Sequence, residues 1–150
     1  MVKKSFVVYF GILIIILDQI TKYIAKSNLE LNQTIPIIKN FFHITLTTNT
    51  GAGFGILKDN NSLIAFITIL ILGFILFYYD KLPKKGKAYI SIVLIVSGAL
   101  SNLFDRILLG HIIDFIDFKI WPIFNIADTC ITIGVLYLLF YYMKEEKNKN

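Results

Sequence analysis

Residues 62–79, SLIAFITILILGFILFYY, contain no charged side chain. A bilayer core holds no water, so backbone groups there must pair within their own segment. A run of this length and apolarity therefore reads as a membrane-spanning helix. Three more blocks read the same way. Residues 6–17 (FVVYFGILIIIL) are continuously apolar, and residues 18–25 (DQITKYIA) continue a helical pattern. A charged start before an apolar run is also the form of a secretory signal, but no small-x-small cleavage site follows. The sequence predicts transmembrane helices over residues 5–26, 62–79, 88–109 and 126–143. Composition agrees: hydrophobic residues make up 56% of the 150, above the roughly 45–50% of soluble domains, and mean hydropathy is +0.69. The expected fold is an all-α membrane bundle forming one domain over residues 1–150.

The formal net charge of +5 could suit nucleic acid, but most of the lysines cluster at the ends of the apolar runs, so no nucleic-acid partner is expected. Lys3 and Lys4, then Lys81, Lys84, Lys85 and Lys87, then Lys144, Lys147 and Lys149 mark one side. Lys26, Lys39, Lys58 and Lys119 are spread over longer loops on the other. The positive-inside rule then places both termini and the 80s loop in the cytoplasm. Residues 144–150 read as a charged, disordered tail.

Between the first two apolar blocks, residues 27–61 show no helical period. Residues 35–38 (IPII) and 41–49 (FFHITLTTN) are β-branched, aromatic and alternating, which argues for short strands in an extracytoplasmic β-rich segment. Residues 49–55 (NTGAGFG) follow, with glycines suited to tight turns or close approach, although the spacing is not that of a phosphate loop. His43 reads as a strand residue. His111 is the only other histidine and Cys130 the only cysteine, so no metal centre, disulfide or cofactor is expected, and Cys130 reads as a packing residue.

Ionisable residues inside apolar helices are costly and are usually retained for a purpose. Asp18 and Lys22 are four apart and share a helix face; they form either an interfacial ion pair or a pair turned into the bundle. Residues 97–106 (SGALSNLFDR) combine a small-residue face, Ser97, Gly98 and Ser101, with Asn102, Asp105 and Arg106. These last three read either as a cap at the interface or as an internal polar network. Asp114 lies just past the third block and Asp128 in the first turn of the fourth, and the short return between them can bring both to one end of the bundle. Two carboxyls in contact share one proton, which supplies an acid and a base at neutral pH. The plainer alternative is a loop acid at Asp114 and a helix cap at Asp128, with Asp117 a competitor for either role. A small transporter or channel subunit using the intramembrane charges and an assembly factor without catalysis are the other readings that the residues allow.

Taken in order, these stretches resemble the lipoprotein signal peptidase family, also called signal peptidase II. The resemblance covers nearly the whole chain and rests on residues 18–22 (DQITK), 49–55 (NTGAGFG), 98–106 (GALSNLFDR), 113–117 (IDFID) and 124–128 (FNIAD). It implies a bacterial inner-membrane aspartic endopeptidase with four membrane spans, a small β-rich cradle outside the membrane and an active site towards the outer face. Such an enzyme removes signal peptides from prolipoproteins, cutting N-terminal to a diacylglyceryl-modified cysteine, and is inhibited by cyclic peptides such as globomycin. The resemblance makes Asp114 and Asp128 the catalytic pair. It places Asp18, Lys22, Asn49, Gly51, Asn102, Asp105, Arg106 and Asn125 at positions that support the pair or meet substrate. It also implies partners limited to lipidated precursors and membrane lipid, and a monomer. The chain departs from the family pattern at Gly53 (Ala), at Ser97 and Ser101 (Gly) and at Thr129 (Ser), all changes between small residues. The return from Asp114 to Asp128 is short beside that of the family.

Overall fold

Four helices and a three-stranded sheet make up the structure, a computed structural model that describes residues 4–51 and 57–147. In chain order they are α1 (Lys4–Asn28), β1 (Thr34–Ile38), β2 (Phe42–Asn49), α2 (Asn61–Phe77), α3 (Gly86–Leu109), β3 (Ile112–Asp117) and α4 (Ile126–Lys147). The glycine-rich residues 52–56, including Gly53 and Gly55, lie outside the described residues.

Among the described residues three helical segments are long and apolar enough to cross a membrane: Ser5–Asn28, Gly86–Leu109 and Ile126–Lys147. The expected helix over 62–79 is shorter than predicted. α2 has 17 residues and ends at Phe77, and a 3₁₀ turn, Tyr79–Lys81, follows. At 1.5 Å per residue α2 is about 25 Å long, a few ångströms under a typical hydrocarbon core. α4 is longer than predicted. Residues 144–147, expected as disordered tail, continue the helix, and Lys144 and Lys147 sit in its last turn, where the helix dipole favours cations.

α3 is the central helix and packs against α1, α2 and α4. Its small-residue face lets α4 come close: a Cβ on Gly98 would lie 2.5 Å from the Ala127 carbonyl oxygen. At Gly134 of α4 a Cβ would lie 2.7 Å from the Ser91 carbonyl oxygen. Burial runs opposite to that of a water-soluble protein. Large apolar side chains face outward, Phe77 at 81% exposure, whereas Asp18, Lys22, Asn102, Asp105 and Asn125 are buried. An apolar exterior around a polar interior is what a lipid solvent selects.

The sheet caps one end of the bundle. Its strands run antiparallel in the order β1-β2-β3, with Thr47 opposite Asp114 and Asn49 opposite Ile112. Ala25 of α1 and Leu29, just past its end, pack with Leu46, Ile113 and Phe115, which fastens the sheet to the bundle. Gly110 ends α3 with φ of 77°, a left-handed conformation that costs glycine little and turns the chain into β3. The return loop then folds back on β3. The Phe124 carbonyl accepts from the amides of Phe115 (3.1 Å) and Ile116 (2.8 Å), and the Phe124 amide donates to the Ile116 carbonyl. This pairing brings residues 124–128 beside Asp114.

Candidate active site

Asn125 precedes α4 and caps it. Its side-chain oxygen accepts from the Asp128 amide at 2.9 Å, and an Asp128 carboxyl oxygen faces the Asn125 amide at 3.4 Å, a reciprocal arrangement akin to a capping box. A second N-terminal amide of α4, that of Ala127, donates to Asp18 at 2.8 Å. Asp18 belongs to α1 and is completely buried. A carboxylate there satisfies an orphan donor and the positive end of the helix dipole together.

Lys22, on the same face of α1, is equally enclosed. Its ammonium pairs with the carboxylates of Asp18 (2.7 Å) and Asp105 (2.8 Å) and donates to the side-chain oxygen of Asn102 (2.9 Å). Asn102 turns its NH₂ to Asp128 at 2.7 Å. The Asn125 NH₂ donates to Asp114 at 2.7 Å and to the Asn102 oxygen at 3.1 Å. On the far side of Asp114, the Asn49 NH₂ donates at 3.0 Å, while the Asn49 oxygen accepts from the Gly51 amide. Arg106 donates to the Gly51 carbonyl at 2.8 Å, and its own carbonyl accepts from Asn61 at the start of α2.

All ten residues singled out from the sequence thus join one network of hydrogen bonds and ion pairs drawn from α1, β2, α3, β3 and α4 and from Gly51 and Asn125 beside them. Of the two readings of Asp18 with Lys22, and of Asn102, Asp105 and Arg106, the structure shows the internal network. Two members were not singled out. Gln19 donates to Asp105 (2.8 Å) and Ser101 (3.1 Å), and Ser101 donates to Asp18 (2.7 Å). The spacing of Ser101 to Asp105, one helical turn, was the available signal. Asp117 is not at the site: its partners are Thr45 and Lys119.

Asp114, Asp128, Asn49, Asn102 and Arg106 open onto one cavity of about 820 Å³, which continues between α2, α3 and α4 along Ile71, Ile95, Ala99 and Val135. A second, more aromatic cavity of about 410 Å³ also reaches Asp128, and Trp121, Phe124 and Thr132 line both. Burial, then the neighbouring charge of Asp128, pushes the Asp114 carboxyl up to about 7, against the pull of the Asn49 and Asn125 amides and of Lys22. A buried carboxyl that exchanges its proton near neutrality, beside a second carboxyl, can take a proton from water or return one. Among the described residues no cluster of three or more His, Cys, Asp or Glu is arranged to hold a metal ion.

A polar, proton-exchanging site enclosed at one end of a lipid-facing helical bundle defines a membrane-embedded enzyme. Comparison with known proteins agrees. The family described as signal peptidase (SPase) II matches residues 10–144. The chain is 43% identical over 141 residues to a lipoprotein signal peptidase of Halothermothrix orenii, covering 93% of this chain and 97% of that protein. It is 36% identical over 155 aligned residues to one of Staphylococcus aureus strain JH9, covering 98% and 95%. A bacterial membrane enzyme solved in meso at 2.3 Å resolution superposes with a TM-score of 0.88 at 34% identity, over 98% of this chain and 93% of that one. The chain belongs to the signal peptidase II family, and it is a peptidase.

Proposed function

We propose that this peptidase removes the signal peptide from diacylglyceryl-modified prolipoproteins, cutting N-terminal to the lipidated cysteine, with Asp114 and Asp128 as an aspartic dyad. The observation that carries the assignment is the pair itself: the buried Asp114 carboxyl and the half-buried Asp128 carboxyl on one cavity, joined through Asn125 and Asn102. Water is the nucleophile. One carboxylate takes its proton as the oxygen attacks the scissile carbonyl, and the other carboxyl protonates the departing nitrogen. Arg106 and Asn49 line the same cavity and offer donors to the substrate backbone. The apolar continuation between α2, α3 and α4 suits a substrate that is itself embedded in lipid.

The rest of the reading concerns placement. α2 with its following turn acts as the fourth span, so both termini and the lysine-rich 80s loop face the cytoplasm of a bacterial inner membrane and the sheet lies outside. The site then sits at the outer face, where the lipidated cysteine of a membrane-anchored precursor lies. The domain is single and works as a monomer without a cofactor. Purified protein should cleave a diacylglyceryl prolipoprotein, globomycin should block the cleavage, and Asp114→Asn and Asp128→Asn should each abolish it. Full activity in either variant would refute the dyad.

A further inference from the structure

The hydrogen-bond directions around the two carboxyls are not free to reverse, and that bears on which of them holds the proton. Each asparagine at the site meets, on its oxygen side, a group that can only donate. For Asn102 that group is the Lys22 ammonium, for Asn125 it is the Asp128 backbone amide, and for Asn49 it is the Gly51 backbone amide. The three side-chain amides are therefore oriented by their partners, whatever the carboxyls do. Their NH₂ groups point at the dyad. Asp114 receives one on each oxygen, from Asn125 at 2.7 Å and Asn49 at 3.0 Å. Asp128 receives one, from Asn102 at 2.7 Å on Oδ1. Among the described residues its Oδ2 meets the Asn125 backbone amide, at 3.4 Å.

We infer that in the resting enzyme Asp114 is the ionised partner and Asp128 carries the shared proton on Oδ2. Donors stabilise the charged form of a carboxyl, and Asp114 has two well-directed amides against one for Asp128. The titration itself belongs to the pair, but the location of the single proton is set by these directions. The roles follow. Asp114 accepts a proton from the attacking water as the new C–O bond forms. Asp128 gives its proton to the nitrogen as the C–N bond breaks. The products are a carboxylic acid and an amine, and the proton left on Asp114 passes to Asp128 or solvent before the next turnover. Lys22 touches neither the carboxyls of the dyad nor, on this assignment, the substrate. It is a positioning residue that acts on Asp128 through Asn102. Among the described residues the charged groups around the pair are Asp18 and Lys22 from α1, Asp105 and Arg106 from α3, and Lys58 before α2, which lines the same cavity; β2 presents the uncharged Thr47 and Asn49.

This assignment rests on the dyad reading, and its test separates the two. An asparagine mimics a protonated carboxyl. In Asp128→Asn the NH₂ can occupy the Oδ2 position, where among the described residues the one donor is the Asn125 backbone amide at 3.4 Å. In Asp114→Asn the NH₂ must face the NH₂ of Asn49 or of Asn125 whichever way it turns. Thermal unfolding in detergent should place Asp128→Asn within about 2 °C of the parent and Asp114→Asn lower by on the order of 5 °C. Equal losses, or the reverse order, would overturn the proton placement. If Asp114→Asn does not fold, Asn49→Ala carries the test through the pH profile of kcat/KM. Removing one donor from an ionised Asp114 should move the acid limb up by about one pH unit, a shift that a merely loosened fold does not produce. An unmoved acid limb would overturn the placement. Full cleavage activity in either Asn variant would instead refute the dyad, whatever the unfolding temperatures.

Discussion

Two aspartates on the same strand, three residues apart and both buried, have opposite fates. Asp117 accepts from the Thr45 hydroxyl and from the backbone amide and ammonium of Lys119. Burial resists its ionisation, but Lys119 and Thr45 outweigh that and hold the carboxyl below its ordinary range. Asp114 has amides in place of a lysine as its direct partners, and Asp128 as its neighbour, and it is pushed up to about 7. The comparison shows that enclosure alone does not make a working acid. A cation in direct contact commits a carboxyl to one charge state. Neutral donors orient it and leave the proton exchangeable. At the site Lys22 is set one asparagine back from Asp128 and is already engaged by Asp18 and Asp105.

The contrast can be broken most sharply at the two aspartates themselves. Asp114→Asn should lower kcat for a lipidated precursor by on the order of 10³-fold, and Asp117→Asn by only a few-fold; cleavage assays at equal folded protein decide it. Comparable losses would mean that both ends of β3 take part. Next in size is Lys22→Met, which strands two buried carboxylates. It should cost about 3–5 kcal/mol of stability, seen as a large fall in unfolding temperature. Gly98→Ala forces α3 and α4 apart at Ala127, beside the residue that carries the second carboxyl. A cost of about 1–3 kcal/mol with a parallel loss of activity is expected, measurable by thermal unfolding and turnover.

The two acids also differ in pH response. The Asp114 carboxyl, coupled to Asp128, is raised to about 7, so the pair's contribution to stability is complete below about 4 and is lost as pH rises to about 7, whichever of the two holds the shared proton. Activity should likewise decline, about tenfold per unit, once the pair loses its proton above about 7, which a kcat/KM profile would show. Asp117 is depressed, so its contribution is present above about 4 and disappears as pH falls below that. The smallest effect belongs to Lys119→Ala. It removes a half-exposed cation and should cost under about 1 kcal/mol, with the acid-side stability difference reduced in a pH-dependent unfolding series.

Much of the site was legible before the fold was known, because charged residues among apolar neighbours stand out. The pairs Asp18 with Lys22 and Asn102 with Arg106 follow from one-turn spacing. The same spacing joins Ser101 to Asp105, and it draws in Ser101 only once Asp105 is seen to face inward. Gln19 is off the Asp18–Lys22 turn spacing and joins through Asp105 of another helix, so no local pattern marks it. The length of α2 was overestimated because Tyr78 and Tyr79 extend its apolar run, although the helical backbone stops at Phe77. Composition records affinity for lipid, not the dihedral angles at a helix end.

By itself the sequence determined a lipid-facing bundle, the short strands, the small-residue seam of α3 and the candidate acids. Each is a matter of local hydrophobicity, spacing or side-chain size. Only the tertiary structure decided which acids meet. Phe124 pairs with β3 and carries Asn125 and Asp128 to Asp114, and Asp18 caps a helix 109 residues further along the chain. It also decided the directions of the three asparagine amides, because an amide's direction is set by a partner that can only donate. At Asn102 that partner is a lysine 80 residues away.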